Sequence, residues 1–182
     1  VDAVIISDYA KGCLTPAVIQ KIVTLCKQAD IKTIADPKLA DFSAYRGVDI
    51  LTPNLSELRA ASYEALDAID DITNVAHDLI VKHELGGILA TLSARGMVLT
   101  VAGGTTILGA ATARDVFDVS GAGDTVVATV AACVAQNIAH PLAVDIANLA
   151  AGVAVAKSGT AIVSPGEILA QLPTTKIATD WP

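Results

Sequence analysis

Short apolar runs alternate with amphipathic segments along the first half of the chain. The runs Ala3–Ser7, Lys32–Asp36 and Val48–Thr52 predict buried strands. After the first run, Thr15 and Pro16 supply an N-cap and a first-turn proline, and the spacing of apolar residues predicts a helix over Val18–Ala29. Strands that alternate with helices are typical of the α/β class, in which ligands gather at the carboxyl ends of parallel strands.

The same patterns continue to residue 172. Further strands are predicted at Gly87–Leu92, Met97–Ala102 and Thr105–Ala111, where turn residues indicate hairpins. Further helices are predicted at Asn54–Ser62, Ile72–Glu84, Gly123–Asn137, Pro141–Lys157 and Pro165–Leu172. Residues 173–182 are predicted to form a frayed tail.

Composition and charge exclude several classes of protein. The 182 residues are 53% hydrophobic and 3% aromatic, which favours one core of buried strands covered by helices. A net charge of -7 with scattered Lys and Arg argues against a nucleic-acid surface. No apolar run is long enough to cross a membrane, and no signal peptide is evident. The three cysteines are far apart and match no disulfide or zinc pattern, which fits a reducing cytoplasm.

A glycine-containing turn at residues 120–123 leads into a long apolar helix. Such a helix start presents backbone N–H groups and the positive end of the helix dipole, which together form an anion site. No Gly-Lys-Ser/Thr follows, and Val126 replaces the third glycine of the dinucleotide motif, so neither standard phosphate loop is present. Asp124 in the first turn is either a simple helix cap or a base that accepts a proton beside the anion site.

The segment from Asp118 to Asp124 resembles the D-T-x-G-A-G-D signature of the ribokinase-like, or PfkB, carbohydrate kinases. The resemblance implies a three-layer α/β/α fold with a mostly parallel sheet. It also implies that the amides of Gly121, Ala122 and Gly123 form an anion hole, and that Asp124 is the catalytic base that activates a sugar hydroxyl.

Other segments resemble further motifs of this family in the expected order. Asn54 to Glu57, with Ser56 between them, resembles the N-x-x-E motif, which implies contacts to Mg²⁺ and the nucleotide phosphates, with Glu57 acting through water. The same residues also read as a capping box. The segment from Thr91 to Gly96 resembles the turn that touches the ATP phosphates, with Ser93 in place of the common glycine. Asn148 stands in a segment that resembles the one beside the adenine, where a packing role is the alternative.

One branch of the family fits best. The segments around Asp8 and Lys11, around Asp36 and Lys38, and from Lys157 to Pro165 resemble the D-glycero-D-manno-heptose 7-phosphate kinases. The first four residues follow predicted strands, so they are candidates for substrate binding at the carboxyl edge of the sheet. Lys11 and Lys38 can each hold a phosphate as a point charge, and solvated loop charges are the alternative for all four.

The resemblance covers residues 1–172 and matches the C-terminal portion of the family's fold. It therefore predicts that the N-terminal part and the lid are missing. It implies ATP and Mg²⁺ as cofactors, leaves open a monovalent cation, and implies a sugar phosphate as partner and a homodimer in the full-length form. Two alternatives to the heptose kinase stay open: a kinase for ribose, fructose or a related sugar, and a nucleotide-binding remnant without turnover.

Overall fold

The computed structural model describes residues 1–110 and 117–172. The strands are β1 (Ala3–Ser7), β2 (Lys32–Asp36), β3 (Ile50–Leu51), β4 (Gly87–Thr91), β5 (Met97–Val101) and β6 (Thr106–Gly109). The helices are α1 (Pro16–Gln28), α2 (Leu55–Ser62), α3 (Ile69–His83), α4 (Ala122–Ala135), α5 (His140–Val155) and α6 (Pro165–Gln171). Among the described residues, no helix is both long and apolar enough to cross a membrane.

The strands form one sheet in the order β1-β2-β3-β4-β5-β6. β1 to β4 are mutually parallel, whereas β4-β5-β6 is an antiparallel meander. A connection between parallel strands is right-handed in nearly all proteins. Because successive connections step across the sheet in one direction, α1, α2 and α3 are placed on the same face.

Each face of the sheet has its own hydrophobic core. On the first face, Ile19, Leu58 and Ile72 from α1, α2 and α3 belong to one buried cluster. On the second face, α4 and α5 contribute a buried cluster that includes Val126, Val130, Val144 and Ala147. The strands divide their side chains with the period of two that a sheet dictates: Ala35 belongs to the first cluster and Ile34 to the second. The chain therefore has the predicted three-layer α/β/α arrangement.

The bounds of the elements differ modestly from the predicted ones. β1 and β2 have the predicted bounds, but β3 is limited to two residues. The prediction that β1 is buried was wrong, because β1 lies at the edge of the sheet and only its Ile6 is buried. α3 begins three residues before the predicted start because the Asp71 carboxylate accepts the amide of Ala68 at 2.9 Å and caps an earlier turn. β6 ends at Gly109, and Ala111 of the predicted strand lies outside the described residues.

The parallel strands bring their carboxyl ends to one edge of the sheet. The chain leaves β1 at Asp8, β2 at Pro37 and β3 at Thr52 on this edge. A bridge between Asn54 and Thr91 joins the end of β4 to the start of α2 there. The first turn of α4 reaches the same edge, since Asp124 in that turn lines a cavity together with Asp36 and Thr91.

Candidate functional site

A cavity of ≈ 220 Å³ lies at the carboxyl edge of the parallel strands. It is lined by residues from four strand ends and from the beginnings of α2 and α4. These are Tyr9, Asp36, Lys38, Thr52, Asn54, Glu57, Thr91, Gly121, Gly123, Asp124, Val126 and Val127. Seven of the residues predicted for catalysis, phosphate binding or substrate binding thus meet in one place: Asp36, Lys38, Asn54, Glu57, Thr91, Gly121 and Gly123. Asp124, the predicted base, is the eighth.

The N-terminus of α4 forms one wall of the cavity. Gly121 is its N-cap, adopts a left-handed conformation with φ of 78°, and provides no side-chain cap. The amide of Ala122 donates to the carbonyl of Val119 at 3.2 Å. The amides of Gly123 and Asp124 have no acceptor within the helix, as for any first turn. This helix start can therefore donate hydrogen bonds to an anion in the cavity.

Asp118 fixes the turn that precedes α4. Its carboxylate accepts the amide of Ser120 at 2.9 Å and the amide of Gly159 at 3.2 Å. These hydrogen bonds, first those from Ser120, lower the pKa of Asp118, so the carboxylate remains ionised. The first residue of the signature thus ties the glycine turn to the loop that follows α5.

Asp124 lies between two cavities. On the side of the strands, the hydroxyl of Tyr9 donates to its Oδ1 atom at 3.4 Å. On the other side, Asp124 and Gly121 line a second cavity of ≈ 260 Å³ whose wall includes Ile162 and Ile168. Asp124 therefore contributes to the walls of two cavities at the start of α4.

The beginning of α2 is both a capping box and a wall of the cavity. The side chain of Asn54 accepts the amide of Glu57 at 2.9 Å, and Glu57 Oε2 accepts the amide of Asn54 at 2.8 Å. The other oxygen, Glu57 Oε1, accepts from Lys38 Nζ at 2.6 Å. The predicted capping box is confirmed. The two capping residues, Asn54 and Glu57, also line the cavity.

The cavity is acidic, with one basic side chain among the described residues that line it. Burial raises the pKa of Asp36 from 3.8 to about 6, and the charges of Glu57 and Asp124 add to the rise while Lys38 opposes it. Partial burial works to lower the pKa of Lys38, but the hydrogen bond to Glu57 and the charge of Asp36 raise it above its usual value. A cation brought into this cavity would relieve the repulsion among the three carboxylates.

We expect Asp36 to make stability fall as pH rises from about 4 to about 6. Its folded pKa of about 6 exceeds the ordinary aspartate pKa of 3.8, so the folded state holds the proton more tightly than the unfolded state does in this window. Asp36→Asn should remove this dependence and raise the free energy of unfolding at pH 7 by about 1–2 kcal/mol. Urea unfolding of the wild-type protein and of Asp36→Asn between pH 4 and pH 8 measures the pH dependence of the free energy of unfolding. A difference that does not change with pH would contradict the assignment.

The residues suit a magnesium ion that arrives with a phosphate ligand. Within residues 1–110 and 117–172, no three side chains of His, Cys, Asp or Glu are grouped so as to hold a metal ion by themselves. Mg²⁺ keeps several waters and is commonly held by one or two carboxylates together with substrate phosphates. Since both oxygens of Glu57 are engaged, a contact through water fits this residue better than direct coordination.

The remaining predicted site residues lie outside the lining of the cavity. Asp8 is 1% exposed and accepts the hydroxyl of Tyr45, while Lys11 is exposed on the following loop. Asn148 is buried in α5 and its side-chain amide donates to the carbonyl of Ala110. The other four are Ser56 in α2, Ser93 and Gly96 in the turn after β4, and Ala122 in α4.

Sequence reasoning missed three polar groups of this site. Tyr9 and Thr52 line the cavity, and Tyr45 lies directly behind it. The position of Tyr9 and Thr52 immediately after strand ends was the available signal, because such residues face the ligand edge of a parallel sheet. Tyr45 offered no such signal, since it reaches the site from a 3₁₀ turn at Phe42–Tyr45.

Comparison with known proteins places the chain in a family. The sequence profile described as pfkB family carbohydrate kinase matches residues 1–166. A protein named Bifunctional protein HldE from Granulibacter bethesdensis is 44% identical over 176 residues, which are 93% of this chain and 36% of that protein. Its namesake from Geotalea uraniireducens is 40% identical over 171 residues, which are 94% of this chain and 35% of the relative. The chain thus spans about a third of the length of these curated relatives.

Solved structures share the fold. Ribokinase from Arabidopsis thaliana, complexed with ribose and ATP, superposes with a TM-score of 0.84 at 21% identity, covering 94% of this chain and 55% of that one. Phosphofructokinase-2 from Escherichia coli, in complex with potassium, gives a TM-score of 0.82 at 19% identity over 92% of this chain and 55% of that one. These neighbours confirm the predicted ribokinase-like α/β fold. The profile match over residues 1–166 shows that the chain belongs to the pfkB family of carbohydrate kinases.

Proposed function

We propose that this chain provides the phosphoryl-transfer site of an ATP-dependent sugar-phosphate kinase. The proposed acceptor is the C1 hydroxyl of D-glycero-β-D-manno-heptose 7-phosphate, and the product is the 1,7-bisphosphate, a precursor of the ADP-heptose used for lipopolysaccharide. The observation that carries the proposal is the placement of Asp124 beside the uncapped start of α4, in one cavity with Lys38 and the Asn54–Glu57 box.

Asp124 acts as the general base in this proposal. Its carboxylate accepts the proton of the sugar hydroxyl, whose oxygen then forms a bond to the terminal phosphorus of ATP. The bond from that phosphorus to the bridging oxygen breaks, and ADP leaves with the electron pair. The position of Asp124 in the walls of two cavities supports a site in which a sugar and a nucleotide meet at this residue.

The backbone of the glycine turn and Lys38 stabilise the negative charge of the phosphates in this proposal. The amides at the start of α4 stabilise the transferring phosphoryl group, because they are fixed donors that need no reorganisation during the reaction. Lys38, which carries a raised pKa, stays protonated and can hold a phosphate oxygen as a point charge. Mg²⁺, when bound, neutralises phosphate charge, and Asn54 and Glu57 are the residues proposed to hold it, with Glu57 acting through water.

The choice of sugar rests on sequence resemblance. The segments around Asp8, Asp36 and Lys157 resemble those of heptose 7-phosphate kinases, and relatives at 40% and 44% identity carry the name Bifunctional protein HldE. A cytoplasmic homodimer is part of the same proposal and rests on the resemblance alone. A ribose- or fructose-type kinase is the second candidate, since the solved neighbours include ribokinase and phosphofructokinase-2.

We expect the complete purified protein to consume ATP in the presence of heptose 7-phosphate and Mg²⁺. Turnover should be lost on chelation of the metal with EDTA and return when Mg²⁺ is restored. A coupled ADP assay across heptose 7-phosphate, ribose, fructose and fructose 6-phosphate ranks the substrates by kcat/KM. A preference for another sugar would replace the heptose assignment but keep the kinase. ATP binding without turnover on any sugar would favour a nucleotide-binding remnant.

A further inference from the structure

A buried tyrosine connects two loops of the site from behind the cavity. Tyr45 is 0% exposed and does not line the cavity. Its hydroxyl donates to Asp8 Oδ2 at 2.6 Å. The same oxygen accepts the backbone amides of Lys38 at 3.2 Å and Leu39 at 3.4 Å. One hydroxyl group therefore joins the loop after β1 to the loop after β2.

Asp8 completes this connection on the side of β1. The residue is 1% exposed, and its Oδ1 atom accepts the amide of Ala10 at 2.8 Å. The amide of Asp8 in turn donates to the carbonyl of Asp36 at 3.1 Å. Tyr9, whose hydroxyl donates to Asp124, lies in sequence between Asp8 and Ala10. The Tyr45–Asp8 pair thus fixes the backbone at Lys38 and on both sides of Tyr9.

Loss of the hydroxyl would be costly for both loops. Without it, Asp8 Oδ2 loses its donor and the part-buried amides of Lys38 and Leu39 lose their acceptor. Polar groups that are shielded from water and left without a partner are costly. Burial and the contact with Asp8 raise the pKa of Tyr45, so the hydroxyl keeps its proton over the working pH range. The ring is held independently by an edge-on contact with Phe42, at 6.3 Å between centroids. A phenylalanine at this position would therefore keep the packing and remove only the hydrogen bonds.

We propose that Tyr45 is a positioning residue for phosphoryl transfer, acting with Asp8 to set the place of the Lys38 ammonium group at the cavity. The proposal rests on the proposed kinase function. The ligand of Lys38 is a phosphate, which either the nucleotide or the sugar phosphate can supply. A misplacement of about 1 Å at a charged group can lower a rate by on the order of a hundredfold. Tyr45 thereby affects the reaction without touching either substrate.

A double-mutant cycle in the complete protein tests this role. The variants are Tyr45→Phe, Lys38→Ala and the combination, with Tyr63→Phe as the matched control because Tyr63 is 91% exposed. If Tyr45 acts through Lys38, Tyr45→Phe lowers kcat/KM by about tenfold in the wild-type background and by less than about twofold in the Lys38→Ala background. Tyr63→Phe leaves kcat/KM unchanged. Separate KM values for ATP and for heptose 7-phosphate show which phosphate Lys38 holds.

Ligand affinities of the same four proteins provide a second measurement of the coupling between Tyr45 and Lys38. Calorimetric affinities for Mg²⁺–ATP and for heptose 7-phosphate remain measurable if Lys38→Ala abolishes turnover. Asp8→Asn takes the place of Tyr45→Phe if that variant does not fold, because it replaces the charged acceptor of the Tyr45 hydroxyl with a neutral, weaker one and should cause a smaller loss with the same dependence on Lys38. An equal loss in both backgrounds, or no loss in the wild-type background, overturns the proposal. Kinase activity of the wild-type protein is measured in the same series. A wild-type protein without activity would contradict the proposed kinase function, whereas an active wild-type protein without coupling between Tyr45 and Lys38 would contradict only the role of Tyr45.

Discussion

Replacement of Asp124 by asparagine is expected to lower kcat by about 10³-fold, within the range found for the loss of a general base. Asparagine fits the same space in the first turn of α4 but cannot accept the proton of the sugar hydroxyl. The affinity for Mg²⁺–ATP should change little, because the backbone amides and Lys38 remain in place. Steady-state kinetics with heptose 7-phosphate, together with calorimetric titration of Mg²⁺–ATP, measures the two effects separately.

Asp70→Asn is the matched control for this prediction. Asp70 is also an acidic residue in the first turn of a long helix, α3, but it is exposed and does not line the cavity. Both substitutions remove a favourable interaction with a helix dipole, which is worth about 0.3–1 kcal/mol of stability. Asp70→Asn should therefore show this small loss with normal turnover. If Asp124→Asn behaves in the same way, Asp124 is a helix cap and the proposed mechanism is wrong.

Gly121→Ala should impair both stability and catalysis. Gly121 has φ of 78°, and an added Cβ would lie 3.1 Å from Thr160 Cγ2. The left-handed conformation costs a residue with a side chain roughly 1–2 kcal/mol. The strain and the contact with Thr160 would move the turn that positions the α4 amides, which are the proposed phosphate donors. We expect kcat to fall by about 10- to 100-fold, since the loss of one fixed donor costs at least that much in related sites.

Gly104→Ala separates strain from function in this prediction. Gly104 has φ of 88° in the turn between β5 and β6, and an added Cβ would meet nothing within 4 Å. It should lose about 1 kcal/mol of stability and keep the wild-type kcat. Urea unfolding and initial rates of both variants give the comparison. Equal losses of stability with full activity in Gly121→Ala would show that the turn does not aim the phosphate donors.

The fold was largely predictable because local patterns and the long-range structure agree. β2 is an apolar run with three buried residues, as predicted, whereas β1 is an edge strand in which only Ile6 is buried. The helix α1 begins at the predicted Thr15 cap and Pro16. The least accurate element was β3, predicted as Val48–Thr52 and observed as Ile50–Leu51. Its neighbours in sequence are held by contacts that a local pattern does not reveal, such as the donation from the amide of Gly86 to the carbonyl of Val48 at 2.9 Å.

The site was predictable where a motif or a strand end marks it. The glycine turn, Asp124 and the Asn54–Glu57 box could be named from sequence because they combine recognisable helix starts with a resemblance to family motifs. The contact of Tyr9 with Asp124 spans 115 positions, and that of Tyr45 with Asp8 spans 37. Such pairs depend on the register of the whole sheet, so the burial of Asp8 and its role behind the cavity could not be seen from the chain alone.

The ion pair between Lys38 and Glu57 gives the cavity its electrostatic character. Burial is the largest cause of the raised pKa of Asp36; Lys38 opposes the rise, while the charges of Glu57 and Asp124 add to it. A phosphate that approaches this wall meets repulsion from the carboxylates unless a cation accompanies it. This charge arrangement supports the entry of nucleotide as its magnesium complex.

A crystal structure of the complete protein with Mg²⁺, a nonhydrolysable ATP analogue and heptose 7-phosphate tests the central claim most directly. We predict that the terminal phosphate lies at the start of α4, within hydrogen-bond distance of the Gly123 amide. The C1 hydroxyl of the sugar should lie within hydrogen-bond distance of the Asp124 carboxylate. Phosphates bound away from α4, or a sugar hydroxyl that cannot reach Asp124, would contradict the assignment of this cavity as the site of phosphoryl transfer.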